Sequence, residues 1–64
     1  MLVKNIQSKY LTCNIGFGPF EKGQRFYCTS IADNHFHVMS EKIILGVNTF
    51  KIHIEHIDKF IIMS

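Results

Sequence analysis

The sequence predicts a small all-β domain of about five antiparallel strands, with room for one short helical turn. Two observations carry that expectation. Apolar residues recur with a period of two along most of the chain, which marks strands with one buried face. The alternating runs are also short, lie about ten residues apart, and are separated by glycine, proline, aspartate and asparagine, which is the spacing of small barrels and sandwiches.

The first run is "YLTCNI", where Leu11, Cys13 and Ile15 alternate with Tyr10, Thr12 and Asn14. The next stretch, "GFGPFEKG", holds three glycines and the only proline, and so reads as a turn-rich connection. It lacks the spacing of a phosphate-binding loop. Phe17 and Phe20 within it are expected to fold back as caps on the barrel. Left exposed, either would serve as an anchor for a partner.

"RFYCTSI" places Phe26 and Cys28 on one face against Arg25, Tyr27 and Thr29. "ADNH" follows as a hairpin turn, because Asp and Asn tolerate left-handed backbone angles. In "HFHVM", Phe36 and Val38 oppose His35, His37 and Met39. The pattern weakens in "VMSEKIILG". Ser40 can cap a short helix over Glu41 to Leu45, but Ile43 and Ile44 are β-branched and the segment is brief. "LGVNT" breaks the alternation at Gly46 and Asn48. "FKIHIEH" restores it, with Phe50, Ile52 and Ile54 against Lys51, His53 and Glu55. "EHIDKF" suits one 3₁₀ turn before a last strand, "FIIM".

Sixty-four residues make one domain, 1–64, whose core needs a supplement. Two cysteines are too few for a disulfide scaffold. The apolar ends of the chain suggest self-association instead. Phe60 to Met63 is a run without polar alternation, which needs cover on both sides from the N-terminal "MLV" segment or from another copy. A homodimer through the terminal strands is therefore one expectation. "MLVKNIQSKY" is too polar for a secretory leader, and the longest apolar runs fall far short of the roughly 20 residues that span a bilayer. The expectation is a cytoplasmic protein with reduced thiols and no membrane partner.

At "FEKGQRFYCTSIADNHFHVMSE" and "FKIHIEHIDKFI" the order of turns and strands resembles the small SH3-like barrels found among short proteins of bacteriophages and their hosts. The resemblance covers about Phe20 to Ile61. It implies a compact SH3-like barrel that acts as a binding module rather than an enzyme, such as a modulator of a host factor or a nucleic-acid binder. Fold likeness by itself transfers neither job.

The outward phase of three strands carries Arg25, Tyr27, His35, His37, Lys51 and His53. Tyrosine and arginine are common anchors of protein interfaces. The same groups suit single-stranded nucleic acid, with rings for bases and cations for phosphates. Net charge is only +2, which gives little support to a polyanionic partner. The expected partner is a host protein, with nucleic acid as the alternative and a self-assembling structural subunit as the third reading.

His35, His37 and His53 would form a three-histidine zinc site if their strands were neighbours and the rings converged. An ordinary solvated face explains them more simply, and neither metal nor cofactor is expected. Cys13 and Cys28 fall on apolar phases, which predicts buried, inert thiols. No set of acid, base and nucleophile stands out, so no catalytic residue is assigned.

Overall fold

The computed structural model describes residues 6–63, which fold as five antiparallel strands in a single sheet with one 3₁₀ turn. The strands are β1 (Tyr10–Cys13), β2 (Arg25–Ala32), β3 (His35–Ile44), β4 (Val47–His53) and β5 (Phe60–Met63). Their spatial order is β4-β3-β2-β1-β5. The 3₁₀ turn, Ile54–Lys59, connects the strands at the two edges of the sheet. This is the all-β architecture of five antiparallel strands and one short helical turn that the sequence predicts.

Two tight hairpins organise the centre. Asp33 and Asn34 join β2 to β3 with φ of 54° and 61°. Both angles are positive, which is the turn that matches strand twist and that Asp and Asn tolerate. Leu45 and Gly46 join β3 to β4 with φ of 53° and 83°. The segment Glu41 to Ile44 is therefore strand and not helix, since its β-branched pair favours extended backbone. Asn48 likewise lies inside β4 rather than in the turn.

The inward phases of the strands meet in one core. Leu11, Cys13, Phe26, Cys28, Phe36 and Val38 are essentially sealed from solvent. Phe60 stands edge-on to Phe26 at 5.7 Å and to Phe36 at 5.6 Å, and Phe20 stands edge-on to Phe26 at 5.5 Å. Edge-to-face stacking of this kind adds to the burial itself.

Phe17 and Phe20 do fold back. Their backbones exchange two hydrogen bonds, at 3.0 and 2.9 Å, around Gly18 and Pro19. Gly18 takes a φ of +54° there, which glycine adopts without strain. Phe20 is buried, and Phe17 packs partly against the core.

Two inward assignments fail. Ile15 is exposed, because β1 ends at Cys13 and the chain turns as Asn14 and Ile15 both donate to the Lys59 carbonyl. Ile54 is only half-buried and Glu55 leaves the strand pattern, since both belong to the 3₁₀ turn. The "MLV" segment expected to cover β5 lies outside the described residues. No helix among the described residues is long and apolar enough to cross a membrane.

Candidate functional site

The outer face of the sheet is set by cross-strand register. His35 lies opposite His53, and His37 lies opposite Lys51, on β3 and β4. Tyr27 on β2 lies between Tyr10 on β1 and Met39 on β3. Arg25 sits opposite Thr12. A register shift between Cys28 and Ser30 lets Thr29 bulge, and its hydroxyl donates to the His37 carbonyl at 3.2 Å. Bulges of this kind re-aim side chains along a strand.

The six residues singled out in the sequence thus share one face but form two groups. The histidines and Lys51 occupy the end nearest the Asp33-Asn34 turn. Arg25 and Tyr27 occupy the other end.

His35 and His53 meet with ring centroids 5.0 Å apart and planes nearly perpendicular. The Ile54 N–H donates to the Asn34 carbonyl, the bond that flanks this pair. The two histidines therefore sit at a non-hydrogen-bonded position, where facing side chains come closest. His37 does not complete a triad, since its cross-strand neighbour on β4 is Lys51. Among the described residues, no group of three or more His, Cys, Asp or Glu is placed to hold a metal ion.

The structure joins Tyr27 to residues that the alternation pattern did not single out as a site. Met63, Tyr10, Tyr27, Met39 and Thr49 form one continuous row across all five strands. The Tyr10 and Tyr27 rings lie 4.9 Å apart, tilted by 59°. Tyr10 is 60% exposed, and Met39 and Met63 are each close to half exposed. Beside the row, Tyr10, Thr12, Arg25, Glu41 and Met63 line a shallow groove. Tyr10 is visible in the sequence as an outward residue of β1. What sequence could not supply is the pairing of β1 with both β2 and β5.

A second missed feature lies at the 3₁₀ turn. The Glu55 carboxylate stands 3.9 Å from His53 Nδ1 and 3.7 Å from His56 Nε2. His56 stacks on Phe17 at 4.6 Å and accepts a hydrogen bond from Lys59 Nζ at 2.9 Å. Lys59 also lies 5.1 Å from the Phe17 ring centroid, within cation–π reach. These contacts pin the turn to the Gly18-Pro19 loop.

Both cysteines are free and buried. Burial pushes the Cys13 and Cys28 thiols up, partly countered by backbone hydrogen bonding at Ile15 and Ser30. That setting opposes thiolate chemistry.

Comparison with protein families, with curated proteins and with solved structures returned no match.

Proposed function

We propose that this chain is a non-enzymatic accessory protein that binds another protein through the outer face of β5, β1, β2 and β3. The observation that carries the reading is the row Met63, Tyr10, Tyr27, Met39, with Arg25 beside it. Tyrosine, methionine and arginine are enriched at protein interfaces. Here they project from paired strands rather than loops, so binding would order little backbone. The resemblance to short SH3-like phage proteins makes a host protein, met in the host cytoplasm, the partner to seek and modulation or inhibition the expected effect.

The experiment is capture from host lysate by the tagged protein, repeated with Tyr10→Ala, Tyr27→Ala and Arg25→Ala. One dominant partner, lost with these variants and retained with Lys22→Ala in the connection before β2, supports the reading. A partner retained by all of them, or none at all, overturns it.

A second reading is a single-stranded nucleic-acid binder, favoured by His37 facing Lys51 beside the Tyr27 end of the same face. It requires oligonucleotide affinity that falls steeply with salt and drops in a Tyr27→Ala, Lys51→Ala double variant.

A further inference from the structure

The two edges of the sheet are built differently. The edge strand β4 carries exposed Lys51 and His53, and a lysine on an edge discourages pairing with another chain. The edge strand β5, Phe60–Met63, carries no charged residue and no proline. Its Ile61, Ile62 and Met63 are 48%, 45% and 49% exposed. Ile62 lies opposite the fully buried Leu11, so it faces the core side, yet it remains half exposed.

The hydrogen-bond phase of β5 follows from one contact. The Asn14 N–H donates to the Lys59 carbonyl at 2.8 Å, which makes Cys13 and Phe60 a non-hydrogen-bonded pair. By alternation, the Ile61 and Met63 backbones bond to β1. The Ile62 N–H and carbonyl point away from β1, toward the edge that no described strand covers. The Phe60 N–H also points away, but it is already committed to the Ile57 carbonyl. Among the described residues, Ile62 is therefore the one position of β5 whose two backbone groups have no strand partner.

We propose that β5 is a self-association edge, at which two copies pair antiparallel about a two-fold axis centred on Ile62. In this register each Ile62 N–H donates to the Ile62 carbonyl of the second copy. Ile61 comes opposite the second copy's Met63, and the reverse. The occupant is a second copy because the strand is uncharged, so it meets itself without repulsion. Its register also returns like groups to like, as an isologous interface demands. On the outer face Ile61 and Met63 of both copies become one apolar patch, and the row through Tyr10 and Tyr27 extends over both subunits.

A four-residue strand buries less than the roughly 800 Å² per partner of a standard interface. The dimer is accordingly weak, with a Kd on the order of tens to hundreds of micromolar.

Sedimentation equilibrium from about 10 μM to about 1 mM tests this on the whole chain. The expected result is a mass that climbs from monomer toward dimer. Ile62→Pro removes only the outward N–H and is tolerated on an edge strand. It should stay monomeric throughout with its thermal transition retained. Ile61→Lys leaves the backbone intact and should also stay monomeric, which keeps the test decisive if the proline variant does not fold. A wild-type monomer at the highest concentration overturns the proposal, as does a dimer unaffected by either variant. Hydrogen exchange at the Ile62 amide adds a local reading. Protection that grows with protein concentration supports the register. Protection already complete in dilute solution shows that the chain covers its own edge, and overturns it.

Discussion

His35 and His53 face each other across β3 and β4, but their Nδ1 atoms are committed in opposite senses. His35 Nδ1 lies 2.7 Å from the Asp33 carbonyl and must donate to it, because a carbonyl only accepts. His53 Nδ1 accepts from the Glu55 N–H at 3.1 Å. The neutral rings are therefore different tautomers. His35 leaves Nε2 with a free lone pair, while His53 carries its proton on Nε2. Each ring is held by the backbone beside it, His35 at the hairpin turn and His53 at the start of the 3₁₀ turn. The pair is thus a local structural device as well as part of the outer face.

His53 caps the 3₁₀ turn, so losing its side chain should destabilise the fold by about 1 kcal/mol. For a domain of this size that lowers the melting temperature by about 4–8 °C. His53→Asn, which supplies another cap acceptor, should recover most of the loss. Thermal denaturation followed by circular dichroism decides it. Equal losses in His53→Ala and His53→Asn would rule out the capping role.

Leu45 holds a left-handed φ of 53° while 81% exposed. A branched apolar side chain is strained there, and Asn is the residue the turn prefers. Leu45→Asn should raise stability by roughly 0.5–1 kcal/mol, visible as a higher urea midpoint. A lower midpoint would mean that Leu45 makes a contact worth more than its strain.

Phe36 is fully buried against Phe60. Phe36→Ala should cost about 3–5 kcal/mol, most or all of the stability available to so small a domain. His37→Ala, one residue away on the outer face, should change stability by less than about 0.5 kcal/mol. Paired urea titrations test the contrast, and similar losses would contradict the inward and outward assignment.

The thiols supply a pH dependence whose sign is fixed by burial. Unfolded Cys13 and Cys28 ionise in the ordinary thiol range, near pH 8.5, while the folded thiols resist. Above that range the folded state binds more protons than the unfolded state, so stability falls as pH rises through it. Below it the thiols contribute nothing to the slope. A Cys13→Ala, Cys28→Ala double variant should show a flatter stability profile between about pH 8 and 10. A thiol reagent at pH 8 should modify the native protein far more slowly than the urea-unfolded chain.

Features that depend on neighbours along the chain are legible in the sequence itself. The period of two locates β2 and β3, and the pair Asp33-Asn34 locates their turn. Burial of Phe26, Cys28, Phe36 and Val38 follows directly. Features that depend on which strand lies beside which are not legible there. Tyr10 belongs to the outer row only because β1 pairs with β2 on one side and β5 on the other. Met63 joins it through the same pairing. Ile15 obeys the alternation but escapes the core, because a bond from a distant segment ends β1 first. The split of the six outward residues into an imidazole end and a tyrosine–arginine end also requires the register.

The pairing of Tyr10 with Met63 bears on how the chain reaches this shape. The β2–β3 and β3–β4 hairpins close through two-residue turns and form quickly. The β1–β5 pair joins segments from opposite ends of the described chain, so its loop-closure entropy is recovered only when the rest of the sheet is in place. The central hairpins are thus the natural nucleus, and the last seam to close is the one that completes the tyrosine row. Substitutions in the Asp33-Asn34 turn should slow refolding, whereas substitutions in β5 should mainly speed unfolding. A stopped-flow series with the opposite partition would show that the ends come together first.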